Sequence, residues 1–234
     1  MSRHSHKDFP YWLVLVVLIG LYLAYRVASD DLYSQVFARI QAGIWMTIEV
    51  ALIAFSLAAV LGLGFAMASL SRFIIARQLA RFYIEVVRGV PILVLLFYIA
   101  FVGAPALVIA INFVAEPLGF EPMLTRDLSL KWRAIIALMI GYSAFLAEVF
   151  RAGIQSVDVG QIEAAEALGL NPWQRFRLVV FPQAIRTILP PLGNDFVAMV
   201  KDSSLVAVLG VTDVAQLAKV TAAGNFRYFE TYNV

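Results

Sequence analysis

Cysteine is absent from the 234 residues, which excludes a disulfide framework, a thiolate metal site and a cysteine nucleophile. Histidine is nearly absent: only His4 and His6 occur, and no His-Glu-x-x-His pattern exists, so a zinc hydrolase finds no ligand set and no metal site is expected. No Gly-x-x-x-x-Gly-Lys phosphate loop is present, which removes the usual nucleotide-hydrolysing site from this chain. Charge is also scarce. Only 15% of residues are charged and the net charge is +2, too small and too scattered for a nucleic-acid surface.

What the chain has instead is apolar sequence, 62% of it. Several runs approach the ~20 residues a helix needs to cross a bilayer. Lone strands cannot satisfy their backbone in lipid, so the expected fold class is an all-α integral membrane protein. Arg3 and Lys7 precede a first span at about 10–28, whose Tyr22, Tyr25 and Arg26 leave no small-residue cleavage site; it reads as an uncleaved span. Residues 29–40 read as a short connection. A second span at about 43–70 runs into 71–81, where Arg72, Arg77 and Arg81 stand without an acid and mark a cytoplasmic loop. A third span covers about 90–114, an external loop 117–131, and a fourth span about 134–150. The fifth runs from near 182 or 187 to about 211 and is expected to be interrupted at Pro190 and Pro191, with a polar external stretch after it. Five spans then put the N-terminus and both basic loops on one side, in a single domain over 1–234 with its core at about 43–211.

The longest polar interruption is 158–182. Glu163, Ala164, Ala165, Ala167 and Leu168 are good helix formers. Gly169 can close a helix in a left-handed cap, and Asn171 with Pro172 reads as the N-cap and first position of the next helix. Helix, sharp turn and second helix would present a compact knob to the aqueous side.

That knob resembles the signature loop of the permease subunits of bacterial ATP-binding-cassette importers: Glu163, Ala164, Ala165, three residues, Gly169, then Val179, Phe181 and Pro182. Val179 and Phe181 stand where Ile and Leu are usual. Residues 83–97, 142–161 and 192–205 resemble the polar amino acid branch of the same family, although Val90 replaces the usual Thr and Asp158 the usual Pro. The resemblance implies a type I permease fold and a role for the loop as the coupling helix that docks on a cytoplasmic ATPase. It implies two such ATPase subunits, a second permease chain that is identical or related, an external amino-acid-binding protein and the surrounding membrane lipid as partners. No nucleic acid partner is expected. ATP and Mg would be bound by the ATPase, with no cofactor on this chain, which would perform no bond chemistry in the bacterial inner membrane with its N-terminus cytoplasmic. An ion-driven secondary transporter is the alternative, since it too would place carboxylates in the membrane. The family's permeases close with one more span, so a sixth is expected beyond Val234, with 224–234 as its external lead.

Charged groups within spans are costly and need a partner or water, so each is a candidate for a solute path. Glu49 fits an interface, and Glu148, three residues before Arg151, fits an ion pair on one helix side as well as a solute contact. Glu85 and Arg88 share that spacing. On the fifth span Asn194, Asp195, Lys201, Asp202 and Ser203 offer the acid, base and amide groups that a zwitterionic amino acid requires, while Lys201 and Asp202 equally suit pairing with another helix or subunit.

Overall fold

The computed structural model describes residues 9–234. Arg3, His4, His6 and Lys7, which entered the sequence argument, lie outside the described residues. The elements in chain order are helices α1 (Tyr11–Ser29), α2 (Asp31–Ile40), α3 (Ile44–Ser69), α4 (Ile74–Gly89), α5 (Ile92–Tyr98), α6 (Ala104–Ala115), α7 (Leu130–Gln155), α8 (Val159–Ala167), α9 (Pro172–Arg175), α10 (Phe181–Asp202), α11 (Val214–Asn225) and α12 (Tyr228–Tyr232). Among the described residues no strand occurs. Four helical runs among them are long and apolar enough to cross a membrane, or five if the α10 region counts as a broken span, which agrees with the fold class expected.

The chain divides into two compact units, one from the stretch up to Ile44 together with Thr212–Val234, the other Trp45–Val211. In the first, residues 29–40, expected as a connection, form α2. Asp30 caps it by accepting from the Leu32 amide at 3.0 Å, and Tyr33, Val36 and Ile40 recur at helical spacing to form its buried face. That face meets Ala218 on α11. Gly43 permits the approach: a Cβ there would lie 2.5 Å from the Val214 backbone nitrogen.

The second unit packs around α7, whose buried positions include Ala134, Ala137, Gly141, Ala144 and Ala147. Lipid removes most of the hydrophobic drive between helices, so association depends on close van der Waals approach through small residues. On α3 the residues Ala54, Ala58, Gly62 and Ala66 recur every four positions and are buried. At Gly62 a Cβ would sit 2.8 Å from the Ser143 carbonyl, and at Gly153 it would sit 2.2 Å from Ile188 Cγ1 on α10. Glu49 pairs with Lys131 and so ties α3 to the first turn of α7, the end-of-span position expected of it.

Two expectations are corrected here. Residues 71–81 are not a loop, because α4 starts at Ile74; its Ala80, Ile84 and Val87 fall at i, i+4 and i+7 and bury an amphipathic stripe. Residues 214–225, within the polar stretch expected after the fifth span, form α11. Pro190 and Pro191 do not interrupt the fifth span either, since α10 is helical throughout Phe181–Asp202. The irregular backbone lies upstream of the proline pair, as a wide π-turn at Phe176–Val180, where Pro182 lacks the N–H that the preceding turn would use. A second wide turn, Ile99–Gly103, separates α5 from α6, and Arg133 supplies one of its carbonyls, that of Ala100, with a donor at 3.3 Å.

Candidate functional site

Two places in the second unit concentrate the polar chemistry. The first is the turn from α8 to α9. Asp158 caps α8 by accepting from the Gly160 amide at 2.8 Å. At the other end Gly169 has φ +77°, a left-handed backbone that glycine adopts without strain. Its amide donates to the Glu166 carbonyl at 2.9 Å and the Leu170 amide donates to the Ala165 carbonyl at 3.1 Å, the paired bonds of a Schellman cap. Asn171 then begins α9 with a reciprocal cap: it accepts from the Gln174 amide at 2.9 Å while Gln174 accepts from the Asn171 amide at 3.0 Å. Arg175 reaches back to Glu166 at 2.8 Å and fastens the two short helices together. Ala165 is buried against the body, whereas Glu163, Ala164 and Gly169 are exposed, and Leu168 is exposed to 81% and Trp173 to 66%. Exposed apolar side chains on a rigid polar knob mark a surface made to be covered.

The second place is a half-open cavity of ≈ 520 Å³ walled by α4, the 89–91 break, α7 and α10. Its charged groups are Arg88, Asp195 and Asp202, with Tyr142 and Phe145 beside them. Tyr142 donates its hydroxyl to Asp202 Oδ2 at 2.7 Å. Arg88 lies over the Phe145 ring at 5.6 Å and 3.6 Å from Glu148. Glu148 is held in turn by Arg151 at 2.7 Å, and Arg151 by Gln155 at 2.6 Å, so a charged chain runs from the cavity wall along α7 toward the cap of α8. Ser69, Arg81, Glu85, Glu148 and Arg151 line a neighbouring cavity of ≈ 250 Å³.

A knob shaped for docking, on a body of membrane-spanning helices around a polar cavity, is the layout of a transport subunit. Residues 60–231 match the family of the binding-protein-dependent transport system inner membrane component. The chain belongs to that family. It is similar to the probable amino-acid permease protein YxeN of Bacillus subtilis, 37% identical over 80% of this chain and 77% of the relative. A second relative is the probable amino-acid ABC transporter permease protein YckA of the same organism, 35% identical over 88% of this chain and 83% of that protein. Among solved structures, a crystal structure of an amino acid ABC transporter with histidines superposes with a TM-score of 0.69 at 35% identity, covering 88% of this chain and 86% of that one. The chain is therefore a multi-pass permease subunit of an ATP-driven importer of the inner membrane, a class that works with ATPase and solute-binding partners. An ion-driven carrier is not favoured.

Within this permease the sequence candidates separate. Glu163, Ala164, Ala165 and Gly169 all fall on the knob. Of the fifth-span candidates for a solute path, Asp195 and Asp202 line the large cavity. Glu148 sits one step away, linked through Arg88, and takes the pairing with Arg151 that its spacing allowed. Arg88 pairs with this residue rather than with Glu85. Asn194 and Lys201 are exposed and lie outside the cavity lining, and Ser203 is buried with its hydroxyl donating to the Val200 carbonyl at 2.8 Å. Helical geometry explains the split: Asp195, Ala198 and Asp202 follow i, i+3, i+7 and share one face of α10, from which positions 194 and 201 are turned by a full residue step. Tyr142 and Arg88 were missed as cavity residues. Their signal, a polar group inside an apolar run, was visible, but its meeting with Asp202 or Glu148 across sixty residues was not.

Proposed function

We propose that this permease carries polar amino acids across the inner membrane as one domain, paired with a second permease chain, identical or related, over two ATPase subunits. An external amino-acid-binding protein delivers the cargo. ATP and Mg reside on the ATPase; this chain binds no cofactor and makes or breaks no bond. ATP draws the ATPase pair together, α8 follows the groove in which it sits, and α7 and α10 pass the displacement to the cavity wall and switch access from outside to inside. Amino acid cargo is supported by the names of the similar permeases.

The observation that carries the reading is the Schellman-closed knob with Glu163 and Ala164 exposed on it. Gly169→Val places a β-branched residue at φ +77°, where an L side chain costs ~1–2 kcal/mol and the cap reorganises. Cargo-stimulated ATP hydrolysis by the assembled transporter should fall at least tenfold while the protein still reaches the membrane, and Gly169→Asn, which tolerates the left-handed region, should retain most of it. Unchanged stimulation in Gly169→Val removes the coupling role. The N-terminus is cytoplasmic in this reading. A membrane-impermeant thiol reagent applied to spheroplasts should then label Glu121→Cys and spare Arg72→Cys and Gln161→Cys; labelling of Gln161→Cys inverts the topology.

A further inference from the structure

Volume and charge in the large cavity narrow the cargo. At ≈ 520 Å³ it lies within the range of ~300–1,000 Å³ typical of small-molecule sites, and it holds two carboxylates, Asp195 and Asp202, against one guanidinium, Arg88. The two acids sit seven residues apart on one face of α10, about 10 Å along the helix at 1.5 Å per residue, with only Ala198 between them. That separation is comparable with the distance between the two cationic ends of an extended lysine or arginine. Their states differ. Asp202 is oriented by the Tyr142 hydroxyl at 2.7 Å, which engages one of its oxygens, whereas Asp195 has no hydrogen bond or ion pair to any described residue. On the opposite wall Arg88 is loosely held, 3.6 Å from Glu148 and side-chain exposed to 42%, and can accept a carboxylate without giving up a short bond.

We infer that this cavity selects cationic amino acids, Arg88 receiving the α-carboxylate, Asp202 the α-ammonium and Asp195 the side-chain cation, which makes Asp195 the specificity-determining residue. A neutral amino acid leaves one carboxylate in the cavity uncompensated. An acidic one brings a second negative charge to a site that already carries an excess of it, and like charges at short range are what exclude a wrong partner. The inference rests on the proposed amino acid cargo and adds its charge class.

The test is calorimetric titration of arginine, glutamine and glutamate into the purified assembled transporter without its external binding protein, whose own selectivity would otherwise dominate. Arginine should bind most tightly and glutamate not at all. Asp195→Asn, which keeps the side chain's size, should weaken arginine about fivefold, the upper end for a partly exposed charge pair, and leave glutamine unchanged. Asp195→Glu should hold the order of preference, which separates lost charge from lost packing. Glutamine or glutamate binding as tightly as arginine, or arginine affinity unmoved in Asp195→Asn, overturns the charge class and leaves the amino acid importer standing. A separate uptake assay in cells distinguishes the deeper failure: no uptake of any of the three labelled amino acids overturns the proposed cargo and this inference with it.

Discussion

The α8–α9 knob and the α10 cavity are built on opposite plans. Every bond that shapes the knob is local: Asp158 to Gly160, Asn171 to Gln174, and at the longest Glu166 to Arg175, nine residues apart. The cavity is shaped by bonds that span the chain, with Tyr142 to Asp202 and Tyr83 to Ser143 each sixty residues apart. A structure held by local bonds can be displaced as a rigid piece. One held by distant bonds changes shape when its helices shift. An importer needs both properties, a handle that transmits force without deforming and a chamber that deforms when force arrives.

The largest effect that would break this comparison is expected where the chamber's walls touch. Gly153 on α7 faces Ile188 on α10, and a Cβ there would lie 2.2 Å from Ile188 Cγ1. Gly153→Leu should force the two helices apart and cost about 1–3 kcal/mol, seen as a lower melting temperature of the solubilised protein and lower membrane yield. Gly64→Leu is its control, because a Cβ at Gly64 meets nothing within 4 Å and the change should stay within about 0.5 kcal/mol. Equal destabilisation by both would mean that leucine's effect on the helix, and not close approach, sets the α7–α10 seam.

A smaller effect sharpens the cavity side. Tyr142→Phe removes only the hydroxyl that donates to Asp202, and a hydrogen bond to a charged group contributes about 1.5 kcal/mol at the weaker end. A cycle with Asp202→Ala, read by thermal melting of the assembled transporter, should return that coupling. A cycle energy near zero would show that α7 and α10 are positioned by packing alone.

The same division decides what the sequence could reveal. Gly169, Asn171, Pro172 and the Glu-Ala-Ala run carry cap and turn chemistry within a dozen residues, so helix, turn and helix were readable from that stretch alone. The spans were readable from apolar length, and α3 and α7 begin and end within a few residues of their expected limits. Amphipathic α4 was hidden because Arg72, Arg77 and Arg81 gave a strong loop signal, while the stripe of Ala80, Ile84 and Val87 gains meaning only once α7 is present to cover it. Pro190 and Pro191 misled in the other direction. Their missing N–H groups are a local fact, but whether a helix breaks there depends on neighbours, and α10 runs through. Of the solute-path candidates, Asp195 and Asn194 are adjacent in sequence and looked equivalent; only the placement of α7 and α4 against α10 separates a cavity residue from an exposed one.

The smallest expected effect lies on the knob. Arg175 meets Glu166 at 2.8 Å, yet the Glu166 side chain is 67% exposed, so solvent screens the pair and side-chain entropy opposes it. Glu166→Ala and Arg175→Ala together should reveal a coupling of only about 0.5 kcal/mol in thermal melting, vanishing near 1 M salt, where the screening length is ~3 Å. The caps at Gly169 and Asn171 are uncharged and should hold the knob in shape, leaving cargo moved per ATP unchanged in either single variant at ordinary salt. A coupling above about 2 kcal/mol that resists salt would require the pair to be desolvated in the assembled transporter. The ion pair would then lie inside the ATPase contact, and the knob's shape would depend on its partner as the cavity's depends on distant helices.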